Sequence, residues 1–403
     1  MGKPLHELTV GFVGNPMTRR AGRWYTHLAS GTLVERIAPL VRKVVYQAPA
    51  LTGPRADKFD YPLDAPNLEI RPCGDWFNTL EMLRRPWPTL HQYERITRDC
   101  DCIFMRGMVP LCWLVHWFAA ARRKRVVHWV AANPVRILRA GPRGYGALLE
   151  NLAVCFGYFE RYMLRLAQRI SRGYIITSGY ELARLFRSPR TIGLASSSTT
   201  STADFRVRPD TCTGPTVRIL YLGFIRREKG IEYLIRALPL VQADRPVHLA
   251  LVGGWDQFPG EYERLNGIIR ELGLSERVSW EGYAHYGQEL FDQIDRSDML
   301  VLPSLSEGSP HVLIEARARS VPIIATRVGG IPDSVSDGQD GLLVPPRDHV
   351  ALAAAISRII NEPQLRQRLI RQGRQRVSSL TLERFVELIL DLLTRPNGTA
   401  PSG

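Results

Sequence analysis

LVLPSLSEGSPHVLIEA, residues Leu300–Ala316, runs from a short apolar strand into a polar loop and then into a helix-compatible segment. The strand ends at Pro303. Ser309 is a good N-cap and Pro310 a good first helical residue, so a helix is predicted from Pro310. A loop of this kind delivers a helix N-terminus, with free N–H groups and the positive end of the dipole, to the carboxyl edge of a parallel sheet. In open α/β sheets that edge is where ligands bind. Two carboxylates flank the loop's far side: Glu307 within it, free to accept hydrogen bonds, and Glu315 inside the helix, where a buried carboxylate needs a partner.

Outward from this stretch, the second half alternates between short apolar runs and helical patterns. Strands are predicted at Val217–Leu222, His248–Val252, Val278–Trp280, Met299–Leu302, Pro322–Thr326 and Gly341–Val344. Helices are predicted at Ile231–Val241, Glu261–Leu272, Gln288–Arg296, Val350–Ile360 and Gln364–Ser378. Near-continuous apolar strands separated by helices imply a parallel sheet covered on both faces, a Rossmann-like half. The first half reads as a second doubly wound sheet. Its strands fall at Leu8–Val13, Lys43–Gln47, Asn67–Pro72, Cys102–Met105, Arg125–Val130 and Tyr174–Thr177, with an apolar helix over Pro110–Ala121. Pro and Thr cluster at Arg206–Pro215, where the joint is expected.

The chain has 403 residues, more than one core usually supports, and its 45% hydrophobic and 23% charged content is that of a globular protein. No apolar window is long enough to span a bilayer, and Met1–Thr9 lacks a signal-peptide pattern, so a cytoplasmic protein is expected. The six cysteines (Cys73, Cys100, Cys102, Cys112, Cys155 and Cys212) fit no zinc spacing and are expected to be reduced. Charge is uneven: 31 of the 53 basic residues but only 16 of the 39 acidic ones lie in the first 210 positions. That half is expected to meet something anionic, such as a membrane surface. Leu148–Ile170, amphipathic with aromatic and Arg residues interleaved, is a candidate interfacial helix. No recognition helix, RNA-binding aromatic motif or zinc finger is present, which excludes nucleic acid as the reading of the basic half.

Glu307 and Glu315, seven residues apart within EGSPHVLIEA, resemble the Glu-x7-Glu signature of family-four retaining glycosyltransferases, also described as glycosyl transferases group 1. LYLGFIRREKGIEYLIRAL (Leu220–Leu238) and SVPIIATRVGGIPDSVSDGQDGLLVPPRD (Ser320–Asp348) resemble the flanking segments of the same family, with HLALVGG and RVSWEGY between them. The resemblance implies the GT-B fold: α/β, two Rossmann-like domains whose parallel sheets face a central cleft. The implied division is an acceptor-binding domain over 1–205, a linker over 206–215 and a nucleotide-sugar-binding domain over 216–380. A C-terminal helix over 381–394 would cross back to the first domain, and a disordered tail would occupy 395–403.

Carried over residue by residue, Glu315 is expected to hold the ribose hydroxyls and Glu307 to contact the donor sugar near the reacting centre. Backbone amides over Gly308, Ser309, Pro310, His311 and Val312 are expected to hold sugar and phosphate. Lys229 is expected to neutralise the donor diphosphate, a role with independent sense because the leaving group gains charge as the glycosidic bond breaks. Glu307 and Lys229 are thus the catalytic candidates. The family's Arg after the first C-terminal strand is replaced by Phe224, so Arg226 or Arg227 is expected to supply that guanidinium. Of the family's Gly-Gly pair in the N-terminal loop only Gly22 carries over. The family's mid-domain His aligns with Ala131, and the neighbouring His128 reads as structural.

The implied function is a retaining, metal-independent hexosyltransferase. It would move a sugar from a nucleoside diphosphate sugar to a glycan or lipid-linked acceptor, in cell-surface polysaccharide or glycolipid synthesis. No cofactor or metal site is expected, and the protein is expected at the inner face of the membrane. Two alternatives stand beside it: a GT-B sugar-nucleotide epimerase or hydrolase, and a non-catalytic carbohydrate- or membrane-binding protein on a degenerate transferase fold.

Overall fold

The fold is that of a computed structural model, which describes residues 3–53, 59–76, 79–84, 86–131, 135, 147–171, 173–194, 199–254 and 258–395. The chain forms two compact units: Met1–Leu194 with Glu383–Gly403, and Ala195–Leu382.

In unit 1 the strands are β1 (Thr9–Val13), β2 (Met17–Arg20), β3 (Arg23–Thr26), β4 (Lys43–Ala48), β5 (Tyr61–Pro62), β6 (Leu68–Pro72), β7 (Cys102–Arg106), β8 (Arg125–Val130), β9 (Tyr174–Ser178) and β10 (Thr191–Leu194). Seven of them form a parallel sheet in the order β10-β9-β8-β7-β1-β4-β6. Its central strand β1 is buried along its whole length, and register is fixed by Val10 opposite Val44 on one side and Cys102 on the other. A burial pattern without alternation is what helices on both faces impose. Those helices include α1 (Leu28–Ile37), α2 (Pro86–Asp99), α3 (Cys112–Ala121) and α4 (Ala147–Ser171). The strands β2, β3 and β5 make a small antiparallel sheet that the sequence pattern did not show.

Unit 2 holds β11 (Val217–Leu222), β12 (Val247–Val252), β13 (Val278–Gly282), β14 (Met299–Leu302), β15 (Ile323–Thr326) and β16 (Leu342–Val344). They form one parallel sheet in the order β13-β12-β11-β14-β15-β16. All of β14 and β15 is buried, and each fully buried Leu or Ile side chain there contributes about 1.5–3 kcal/mol of transfer free energy. Helices α5 (Ile231–Ala237), α6 (Pro259–Glu271), α7 (Gln288–Asp295), α8 (Val312–Ala318), α9 (His349–Asn361) and α10 (Pro363–Val377) follow the strands. The helix expected to reach Val241 stops at Ala237, because Pro239 lacks an N–H and turns the chain into a 3-10 segment, Leu238–Leu240.

The stretch 206–215, expected as a linker, is anchored on unit 2. Arg208 donates to the carbonyls of Asp295 and Ser297, and Asp210 pairs with the buried Arg366 at 2.6 Å. The final helix, α11 (Leu382–Thr394), belongs with unit 1 from Glu383 onward: the Phe385 ring packs on Trp129 at 4.8 Å. The tail at 396–403 lies outside the described residues. All six cysteines are free thiols, five of them buried, and burial pushes Cys73, Cys100 and Cys102 up to about 12, which makes them poor nucleophiles. Among the described residues no helix is long and apolar enough to cross a membrane.

Candidate functional site

The strand order of unit 2 reverses between β11 and β14, which are hydrogen-bonded neighbours. Connections leave these two strands toward opposite edges of the sheet, so a crevice opens at their carboxyl ends. Lys229 follows β11 and Glu307 follows β14. The structure joins them: Lys229 Nζ lies 2.6 Å from Glu307 Oε1, and Ser304 donates to the same oxygen at 2.8 Å. Both side chains are largely shielded, with relative exposures of 21% and 9%. A charge-assisted bond at that length is worth more than a surface pair because water competes for it less.

The loops are brought this close by glycines. Gly230 has φ +63°, and a Cβ there would lie 2.2 Å from the Pro303 carbonyl oxygen, so only glycine lets the first loop press on the end of β14. The amide of Leu305 then donates to the Glu228 carbonyl at 2.8 Å, stitching the two loops together. From the third loop, after β15, a Cβ on Gly329 would stand 1.9 Å from the Glu307 carbonyl oxygen and one on Gly330 2.2 Å from that of Gly308. Sequence reasoning did not single out Ser304, Gly329 or Gly330. The signal for the glycines was present in the adjacent pair of TRVGGIPD; Ser304 carried none.

The helix after the loop starts two residues later than expected. His311 is the N-cap residue, α8 begins at Val312, and the amide of Glu315 donates to the His311 carbonyl at 3.1 Å. Ser309 makes no capping bond; its Oγ is buried without a hydrogen-bond partner. Pro310 stiffens the approach but has no N–H to offer a ligand. Glu315 is buried in α8, and burial first, then the nearby negative charge of Asp204, raises its carboxyl to about 7. Asp204 is held beside it by a capping box with Ser201, a contact from outside the motif that the sequence reading missed.

Between the two arginines the structure discriminates. Arg227 is exposed, whereas Arg226 is half-buried and its guanidinium stacks on Phe224 at 5.0 Å and on Phe258 at 4.8 Å. Its Nε is buried with no hydrogen-bond partner. Phe224, the residue in the place of the family's Arg, therefore positions Arg226 in the same loop. Gly22 is in unit 1, in the turn of the β2–β3 hairpin, where Ala21 and Gly22 both have positive φ (47° and 83°), as a two-residue hairpin turn requires. His128, in β8, is fully buried: its Nε2 meets the Gly107 carbonyl at 2.7 Å and its Nδ1 meets His116 Nε2 at 3.2 Å. Among the described residues no group of His, Cys, Asp and Glu is arranged to hold a metal ion.

The arrangement in unit 2 can hold an anion and a polyol: one cation, one carboxylate with an unbonded oxygen, and a second carboxylate that burial keeps ready to be a donor or an acceptor. The sequence model of the family described as "Glycosyl transferases group 1" matches residues 213–376. That stretch, which contains the switch-point loops, is similar to the group 1 glycosyl transferases. The domain is 32% identical over 167 residues to a glycogen synthase of Mycobacterium tuberculosis, covering 41% of this chain and 39% of that protein. It is 31% identical over 152 residues to an alpha-D-kanosaminyltransferase of Streptomyces kanamyceticus, covering 38% of each. The matched stretch spans well under two thirds of these relatives' lengths. Solved structures match across both units. A sucrose-phosphate synthase from Thermosynechococcus elongatus has TM-score 0.66 at 21% identity, with 96% of this chain and 98% of that one covered. The Anabaena protein HepE in complex with UDP has TM-score 0.68 at 16% identity, with 96% and 99% covered. At such identities the likeness establishes the fold, which is GT-B: two Rossmann-like units built on parallel sheets.

Proposed function

We propose that this protein is a retaining glycosyltransferase that takes its sugar from a nucleoside diphosphate sugar. The observation that carries the reading is the Lys229–Glu307 pair at the β11/β14 switch point, inside the stretch similar to the group 1 glycosyl transferases. In this reading Lys229 and Arg226 face the diphosphate. They stabilise the charge that grows on the leaving phosphate as the glycosidic bond breaks, and their fixed cations do the work that a divalent metal would otherwise do. Glu307 turns Oε2 to a donor-sugar hydroxyl while Oε1 stays on Lys229 and Ser304. Glu315 receives the ribose hydroxyls.

Retention is what the Glu-x7-Glu resemblance implies, with Glu315 assigned to the ribose side. The acceptor hydroxyl then attacks from the leaving-group face, and the departing phosphate accepts its proton. The acceptor in this reading is a glycan or a lipid-linked sugar. Helix α4 supports an encounter with an anionic membrane, because it exposes Phe159, Tyr162 and Ile170 among Arg161, Arg165 and Arg169; co-sedimentation with anionic but not neutral vesicles is expected.

The deciding experiment is a melting screen against UDP, GDP and ADP and their sugars, followed by NMR of the product. One nucleoside diphosphate at a hundred times its dissociation constant should add about 2.7 kcal/mol of stability. Its sugar should be transferred with the anomeric configuration kept. Nucleotide release that ignores added acceptor would instead indicate a hydrolase or epimerase, and no stabilisation by any nucleotide would sink the reading.

A further inference from the structure

Unit 1 has a switch point of its own. The order β10-β9-β8-β7-β1-β4-β6 reverses between β1 and β7, and the residues at their carboxyl ends are Asn15, just beyond β1, and Arg106, the last residue of β7. Arg106 is half-buried. Its guanidinium stacks on Trp129 at 4.8 Å, its Nη1 donates to Ser30 Oγ at 3.3 Å, and its Nε is out of contact with solvent and has no hydrogen-bond partner. No carboxylate among the described residues forms an ion pair with it. Burial lowers its pKa to about 10, which leaves it charged at neutral pH.

A buried arginine with a purely structural task looks different in this same molecule. Arg317 in unit 2 is 1% exposed, but it meets Asp340 at 3.5 Å and donates to the carbonyls of Leu313 and Ser334 at 2.8 and 2.9 Å. Arg106 has one long bond and no counter-charge, at the place in the sheet where ligands bind. A desolvated cation left so is costly unless an anion arrives to pair with it.

The surroundings hold the guanidinium still. Ser30 donates to Asn15 Oδ1 at 2.8 Å and so turns a lone pair to Arg106, and the Asn15 carbonyl is fixed by the Tyr46 hydroxyl at 2.8 Å. Trp129 is locked by its own bond to Ser178 at 3.0 Å. His27 caps α1 with Nδ1 accepting from the Ala29 amide at 3.3 Å, so its Nε2 carries the hydrogen.

We propose that Arg106, with Ser30 and Asn15 as positioning residues, is an oxyanion receptor in unit 1. It takes the phosphate monoester or carboxylate of a negatively charged sugar acceptor. Both groups present paired oxygens that match the planar guanidinium fork. The word acceptor rests on the transferase reading above; the receptor itself does not.

The test is calorimetric titration of the full chain at fixed ionic strength with glucose 6-phosphate, glucuronate and glucose, alongside the nucleoside diphosphates. At least one charged probe is expected to bind where glucose does not, phosphate and carboxylate arms telling the two chemistries apart. Arg106→Met should weaken that probe about 10- to 100-fold, leave nucleoside diphosphate binding unchanged, and melt no lower than wild type without ligand, because a desolvated charge has gone. A structural arginine would give a lower melting temperature. Neither charged probe exceeding glucose in the wild-type protein would overturn the proposal, whatever the variant does. So would an undiminished preference in Arg106→Met. Should no nucleoside diphosphate bind while the Arg106-dependent preference stands, the transferase reading fails and the receptor survives.

Discussion

Glu307 receives two donors on one oxygen, an ammonium and a hydroxyl, and neither reaches Oε2. In the proposed reading that asymmetry makes a single carboxylate both a strut and a contact: Oε1 would fix Lys229 for the phosphate, and Oε2 would remain for the sugar. Lys229→Ala removes a charge-assisted bond to phosphate worth about 1.5–3 kcal/mol. Titration calorimetry should therefore show nucleoside diphosphate affinity reduced about 10- to 100-fold. Glu307→Gln keeps the shape and should leave that affinity essentially unchanged while sugar transfer collapses. If both variants lost the two properties in parallel, the division of labour between the oxygens would be wrong. At this scale the sequence was readable where chemistry repeats at fixed spacing. Glu307, Glu315 and Lys229 stood out for that reason, and Lys229 meets Glu307 across 78 positions. Ser304, Asp204 and Arg106 did not, since a serine, an aspartate or an arginine gains meaning only from what folding places, or fails to place, next to it.

Elements show the opposite balance. Apolar runs of four to six residues located five of the six strands of the unit 2 sheet, because a strand buried on both faces must be apolar throughout, and the edge strand β13 was marked only by Val278–Trp280. The small antiparallel sheet of unit 1 escaped notice. Its strands are as short as Tyr61–Pro62, Met17–Arg20 ends in two exposed arginines, and its turn is Ala21-Gly22 rather than a strong turn dipeptide. The start of α8 was misplaced for a related reason: Ser309 and Pro310 satisfy a capping pattern, yet the loop carries Gly308 and Ser309 against Gly330, and His311 takes the N-cap position without a side-chain capping bond. What the loops need from glycine can be separated by experiment. Gly338 and Gly329 both have positive φ (72° and 53°), but a Cβ at Gly338 meets open space. Gly338→Ala should cost about 1 kcal/mol in denaturant unfolding, the strain of a left-handed residue. Gly329→Ala must also displace the Glu307 backbone and should cost about 1–3 kcal/mol more, with nucleotide affinity falling only in this variant. Equal effects of the two substitutions would mean that the third loop does not shape the site.

Across the whole molecule the two units carry opposite proton chemistry. In unit 1, burial holds His128 near 4 and His116 well below its usual value, both from about 6.5. For each, the unfolded chain binds the extra proton, so the stability of the neutral form is full above 6.5 and is lost as pH falls toward 4. Glu160 opposes them: burial raises it to about 7, and its contribution is full below 4.5 and lost as pH rises through 7. Two buried histidines against one carboxyl leave unit 1 gaining stability as pH rises from 5 to 6.5. In unit 2 the balance is reversed. Glu315, raised to about 7, loses stability over the same rise, and His248, whose pKa is lowered, is partly exposed. Each net proton corresponds to about 1.4 kcal/mol per pH unit. Scanning calorimetry between pH 5 and 6.5 should therefore resolve two transitions that move in opposite directions. The unit 2 transition is identified by its rise on adding the nucleoside diphosphate. Glu315→Gln should flatten the unit 2 slope and leave the other unchanged. Two transitions moving together, or a unit 2 slope that survives the substitution, would show that the buried Glu315 carboxyl does not govern the stability of its unit. A flattened slope would show that the Glu315 carboxyl titrates, and with Glu315 as the proposed ribose ligand nucleotide affinity should strengthen as pH rises through 7 and the carboxyl ionises.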